Sequence, residues 1–189
     1  LHTKKLLEAV LPLIRMNGGR TFYLFTSIRA LTLSAQLLKN EYDITYLVQG
    51  SLPKKQLLEK FAQLNRCVLL ATNSFWEGVD VRGADLRCLI IDKLPFASPT
   101  SPLVRAQLRS IDISGGNGFT DYSLPEAAIS LKQGFGRLIR EESDQGLFVL
   151  GDNRINKHSY GKLLINSLPK MKWITSQDEA LSYLEKLGK

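Results

Sequence analysis

Arg66 to Thr72 reads RCVLLAT, an apolar run from Cys67 to Ala71 with no polar alternation. A strand that is apolar on both faces belongs in a sheet covered on both sides, which is the environment of parallel sheets. Working outward, four more β-rich runs appear: Arg20 to Thr26 (RTFYLFT), Asp43 to Val48 (DITYLV), Arg87 to Lys93 (RCLIIDK) and Gly146 to Gly151 (GLFVLG). The segments between them carry helical periodicity. Thr3 to Asn17 places Leu6, Leu7, Val10, Leu13 and Ile14 on one side, and Ile28 to Asn40 does the same with Ala30, Leu31, Leu33, Leu37 and Leu38. A further helix opens at Pro53 and runs to about Leu64. Alternation of this kind predicts βαβ units and a doubly wound α/β sheet, with residues 1–189 forming a single domain. Residues 98–125 break the pattern. They are rich in Pro, Ser and Gly, with one short helix expected around Leu103 to Ile111, and so long an excursion is expected to be functional or mobile. Residues 160–189 read as C-terminal helices, one near Tyr160 to Ser167, a break at Pro169, and an amphipathic helix from about Ser176 whose Tyr183, Leu184 and Leu187 read as core.

Composition bounds the function. An apolar share of 44% and a charged share of 23% are those of a folded domain. No run approaches the ~20 apolar residues of a membrane span, and the start has no signal-peptide cleavage pattern, so no membrane partner is expected. The chain begins with Leu, which suggests a piece of something longer. Cys67 and Cys88 sit in strand-like runs, and two thiols alone build neither a zinc nor an iron–sulfur site. His2 and His158 have no ligand-like spacing. A reduced, cytoplasmic setting follows. The net charge of +7 points weakly to a polyanionic partner.

The most informative polar stretch is Gln133 to Arg140, QGFGRLIR. Offsets of four and three residues predict Gln133, Arg137 and Arg140 along one helix face. Gly134 and Gly136 each cost a helix interior about 1 kcal/mol against Ala, so something bulky is expected to approach this backbone. A solvated basic helix end explains the stretch equally well. A phosphate-facing helix explains the choice of Arg, whose planar fork holds phosphate oxygens bidentately. In doubly wound sheets ligands bind at the carboxyl ends of the strands. Thr26 and Ser27 follow the first strand, either as a phosphate seat or as a plain N-cap. Gln49-Gly50-Ser51 follows the second with the same two readings. Thr72 to Asp80 (TNSFWEGVD) follows the third, where Glu77 and Asp80 are placed to polarise water, to orient the arginines, or to cap a local turn. Leu94-Pro95-Phe96 follows the fourth, to stack on a base or to fill an apolar gap. No GxxxxGK[ST] loop, GxGxxG fingerprint or DEAH-like box is present, and no Ser-His-Asp, Cys-His or metal cluster stands out. The chain is therefore not expected to hydrolyse anything unaided.

Several stretches are diagnostic together. FTS at Phe25 to Ser27, ATNSFWEGVDVRG from Ala71, LIIDKLPFASP from Leu89, Leu124 to Ala127 leading into QGFGRLIR, and GLFVLGDNR ending at Arg154 resemble the DinG/XPD-like group of superfamily 2 DNA helicases. The resemblance is to the second, C-terminal RecA-like motor domain, most like the YoaA-type bacterial subgroup, and runs from about Arg20 to Arg154. It implies a three-layer αβα, P-loop NTPase-type fold that lacks its own P-loop. It implies that Thr26 and Ser27, with Thr72, Asn73 and Ser74, hold single-stranded DNA. Glu77, Gly78 and Asp80 would couple that track to the nucleotide. Gln133, Gly136, Arg137 and Arg140 would match QxxGRxIR, with both arginines as fingers on ATP that is bound, with Mg²⁺, mainly by the first motor domain. The group's [4Fe-4S] cluster is implied for that first domain of the full-length protein and not for this chain. The implied activity is ATP-dependent 5′→3′ unwinding in DNA repair or replication, with this chain alone inactive. Arg29 and Asp92 have no assured counterpart. A second expectation is an interaction module that docks a replisome or repair accessory protein through its terminal helices. A small Rossmann enzyme is disfavoured by the missing glycine-rich strand–helix turn.

Overall fold

The five apolar runs form one parallel sheet in the order β2-β3-β1-β4-β5. The computed structural model describes residues 1–72, 75, 86–141 and 143–187. Helix α1 (His2–Met16) leads into β1 (Arg20–Phe25), followed by α2 (Ile28–Leu38), β2 (Tyr46–Val48), α3 (Lys54–Gln63), β3 (Val68–Thr72) and β4 (Leu86–Ile91). Then come α4 (Pro102–Ile113), a π-helical turn (Phe119–Ser123) that runs straight into α5 (Leu124–Leu138), β5 (Leu147–Leu150), α6 (Arg154–Lys157), α7 (Tyr160–Ser167) and α8 (Gln177–Leu187).

Strand side chains alternate between two cores, as a period of two requires. Phe22, Leu24, Leu69, Ala71, Leu89 and Ile91 face α3, α5 and α7, where Leu57, Phe61, Leu131, Phe135 and Leu164 are buried. Tyr23, Phe25, Val68, Leu70, Cys88 and Ile90 face α1, α2 and α8, where Leu7, Val10, Leu31, Leu38 and Leu184 are buried. This is the three-layer αβα architecture. The crossover through α2 moves from β1 past β3 to the sheet edge, and those through α3 and α5 move the other way. Helices of opposite travel lie on opposite faces, as a single crossover hand demands.

Three expectations need adjustment. Strand β2 keeps only Tyr46–Val48 of the expected 43–48, because the chain before it is a turn in which Ile44 N–H donates to the Glu41 carbonyl at 3.1 Å. The excursion 98–125 is ordered: α4 is longer than expected, and Asp112, Asn117 and Asp121 accept the backbone N–H groups of Gly118 (3.2 Å), Phe119 (3.0 Å) and Asn117 (2.8 Å). Helix α5 stops at Leu138, and Ile139 is extended (φ −121°, ψ 111°). Arg140 therefore does not share the helix face of Gln133 and Arg137. The Arg140 and Glu141 N–H groups instead donate to Asp144 Oδ2 at 2.8 and 3.0 Å, which closes a turn in place of another helical turn. The tail agrees with its reading: Leu184 is buried, and Tyr183 and Leu187 are partly buried against the α1/α2 core. No helix among the described residues is long and apolar enough to cross a membrane.

Candidate nucleic-acid and nucleotide interface

At the strand C-terminal edge, the β1 exit is set by two side chains. The Ser27 hydroxyl accepts the Ala30 N–H at 3.2 Å, so Ser27 does cap α2. The Thr26 N–H donates to Asp92 Oδ1 at 2.9 Å, a carboxylate from the end of β4. Thr26 and Ser27 are themselves exposed. Asp92 is only 1% exposed, and its Oδ2 is buried without a hydrogen-bond partner. Burial pushes its carboxyl above the ordinary range, against the opposing pull of the Thr26 N–H and the Lys93 charge. Beside it the Tyr23 hydroxyl is also buried and unpaired, and burial together with Asp92 pushes it upward as well.

The neighbouring exits are built the same way. The Thr72 N–H and hydroxyl both donate to Gln49 Oε1, at 2.7 and 3.0 Å, tying the β3 exit to the β2 exit. Thr72 is buried, so it supports this edge from beneath. Beyond β5, Asp152 Oδ2 accepts the Leu94 N–H at 3.0 Å and the Arg154 guanidinium at 2.6 Å. Burial opposes ionisation of Asp152, yet the hydrogen bonds from Arg154 and Leu94 outweigh it and hold the carboxyl below its ordinary value.

Helix α5 occupies a different place. Phe119, just before it, touches Phe96 beyond the C-terminal end of β4, with ring centroids 5.5 Å apart. At its other end Leu138 lies against Gly146, whose added Cβ would also sit 3.2 Å from the Arg87 carbonyl near the start of β4. The helix therefore runs down the sheet, over ~22 Å at 1.5 Å per residue. Gly134 is buried on β4, where an added Cβ would meet Ile91 Cδ1 at 3.6 Å. Gly136 is exposed, with nothing within 4 Å of such a Cβ. Gln133 and Arg140 are exposed and Arg137 is half-buried. Among the described residues none holds the Arg137 guanidinium by a hydrogen bond or an ion pair. The structure thus brings Thr26, Ser27 and Thr72 together at the strand edge, and leaves Gln133, Gly136 and Arg137 on the outer side of the helix layer. Asn73, Ser74, Glu77, Gly78 and Asp80 lie outside the described residues.

No group of three or more His, Cys, Asp or Glu that would hold a metal occurs among the described residues. Cys67 and Cys88 are buried thiols pushed up to about 12 by desolvation, so they fit packed strand positions and not cluster ligands. Gln49, Asp92 and Asp152 carry the edge; Gln49 lies in a loop the sequence singles out, whereas neither Asp is assigned a site role there. The available signal was a carboxylate directly ending an apolar run, LIID and LFVLGD.

A model of the helicase C-terminal domain matches residues 10–171. The ATP-dependent DNA helicase YoaA of Haemophilus influenzae is 42% identical over 178 residues, covering 94% of this chain and 28% of that protein. YoaA of Escherichia coli is 43% identical over 166 residues, covering 88% and 26%. The ATP-dependent helicase DinG of Mycobacterium tuberculosis is 36% identical over 183 residues, covering 97% and 28%. The chain thus spans between a quarter and a third of these relatives' length. Among solved structures, an XPD helicase superposes with a TM-score of 0.69 at 15% identity, covering 90% of this chain and 32% of that one. Dbp5 of Saccharomyces cerevisiae bound to RNA and ADP BeF3 gives 0.64 at 13%, covering 99% and 43%. The fold is RecA-like, and the chain belongs to the helicase C-terminal domain family.

Proposed function

We propose that this chain is the second motor domain of an ATP-dependent DNA helicase of the DinG/YoaA kind, acting in DNA repair or replication. The observation that carries this reading is the outer face of α5, where Gln133 and Arg137 flank a backbone left bare at Gly136. A helix meant only for solvent gains nothing from that glycine, whereas a phosphate chain approaching the backbone needs it. Arg137 and Arg140 are the fingers on an ATP held, with Mg²⁺, mainly by the first motor domain. They stabilise transition-state charge when the cleft closes. Gln133 positions the nucleotide. Glu77, Gly78 and Asp80 couple it to the DNA track. Thr26, Ser27, Asn73 and Ser74 hold the strand through hydroxyls and backbone groups, with Thr72, tied to Gln49, at the end of β3 beside them. Translocation is 5′→3′ and the setting cytoplasmic. Any iron–sulfur cluster belongs to the first motor domain, because the cysteines here do not fit one.

Removing one arginine finger costs on the order of 10³-fold or more in turnover. In the full-length protein, Arg137→Ala and Arg140→Ala are each expected to abolish DNA-stimulated ATP hydrolysis, with folding and ATP binding retained. Wild-type turnover in either variant overturns the finger assignment. The second reading, docking of a replisome or repair protein through the terminal helices, is compatible with the first, and a pull-down that retains no partner counts against it.

A further inference from the structure

Beyond the β4 exit three aromatic rings from three separate segments meet. Phe96 lies 5.5 Å from Phe119 and 5.7 Å from Tyr160, and Phe119 and Tyr160 are 5.2 Å apart. His158 stacks on Tyr160 at 5.0 Å with planes 9° apart, and the Arg154 guanidinium lies 5.5 Å over the Phe96 ring. A cluster that only filled a gap would be closed over. This one leaves Phe119 41% exposed and His158 open to solvent. It is also held still. Asp152 clamps both Arg154 and the Leu94 N–H at the root of the Phe96 loop.

We propose that this cluster is a stacking platform for bases of an unpaired DNA strand. The inference rests on the helicase reading and deepens it, by naming where bases, as distinct from phosphates, are held. Three features favour a base over a protein side chain. First, the platform offers π-faces with a cation beside them, and every base presents a π-face to such a surface. Second, the domain is positively charged overall, at +7. Third, the platform continues the edge that carries Thr26 and Ser27. Asp92 bonds the Thr26 N–H, and the four residues from Asp92 to Phe96 reach at most ~14 Å. A strand whose phosphates lie on the β1 exit therefore brings its bases within reach of these rings. His158 and Phe119 are the outermost members and make the first contact.

The test compares the full-length protein on two single strands of equal length, oligothymidylate and an abasic strand of the same phosphate number. Stacking contributes ~1–3 kcal/mol per base, which converts to about 5- to 150-fold in affinity. Wild type is expected to prefer the thymidylate strand. Phe119→Leu, which keeps apolar bulk and removes the π-face, is expected to lower that preference by a factor in this range without changing abasic affinity. Phe119→Tyr is expected to restore it. An unchanged preference in Phe119→Leu overturns the platform, as does an equal loss on both strands. Unchanged binding to both strands with weakened capture of a protein partner also overturns it and assigns the patch to that partner. A wild-type protein that binds neither strand and shows no DNA-stimulated hydrolysis defeats the helicase reading instead.

Discussion

Asp92 answers two opposing demands. Its Oδ1 must accept the Thr26 N–H, and its burial makes the charge that does so unfavourable. Because the folded value lies above the ordinary one, the folded chain keeps its proton while the unfolded chain loses it. Asp92 therefore costs the fold nothing below the ordinary carboxylate value near ~4, and costs progressively more as pH rises from there to the raised native value. Asp92→Asn keeps an acceptor for Thr26 and cannot ionise. Its stability relative to wild type is expected to grow with pH above about 4 in denaturant titrations of this chain; parallel curves would contradict the raised native value. Asp92→Ala leaves the Thr26 N–H unpaired and is expected to cost about 1–3 kcal/mol. In the sequence Asp92 was visible only as a polar full stop to an apolar run. Its role depends on Thr26, 66 residues away. Thr72 shows the converse. Its position after a strand was legible, and its burial under Gln49 was not.

Two helical glycines of identical sequence appearance behave oppositely. At Gly136 an added Cβ meets nothing within 4 Å, so Gly136→Ala is expected to stabilise α5 by up to about 1 kcal/mol. The same change is expected to lower ATP turnover of the full-length protein if, as proposed, the bare backbone is where the nucleotide approaches. Unchanged turnover would leave Gly136 without a functional reason. At Gly161 an added Cβ would fall 1.8 Å from the Ile155 carbonyl oxygen. Here α7 crosses the turn of α6 at backbone distance, and Gly161→Ala is expected to cost about 3 kcal/mol or more, measurable as a lowered denaturation midpoint. Gly134 is intermediate, since its added Cβ would make ordinary contact with β4 at 3.6 Å. The periodicity of α5 was legible because an amphipathic repeat is local. Its end was not, because the Asp144 turn competes with one more helical turn, and both are compatible with the residue types of Ile139 and Arg140.

At the scale of the whole molecule, the sheet edge and the outer face of α5 are two separate surfaces of one αβα unit, and the proposed function gives the first to a DNA strand and the second to a partner domain. The 189-residue chain by itself is expected to release no phosphate from ATP, and measurable turnover by the purified chain would mean that it holds nucleotide alone. The sequence by itself determined the order of strands and helices, the parallel sheet and the covering of both its faces. Those follow from hydrophobic periodicity, which each segment carries independently of the others. It also determined the family, through motifs whose spacing is local. Only the tertiary structure decided that Arg140 leaves the face of Arg137, that Asp92 and Asp152 clamp neighbouring exits, and that Phe96, Phe119 and Tyr160 form one surface. The first follows from a local competition, in which the Asp144 turn replaces one more helical turn; the other two join residues far apart in the chain, which the parallel sheet and the helices packed on it bring together.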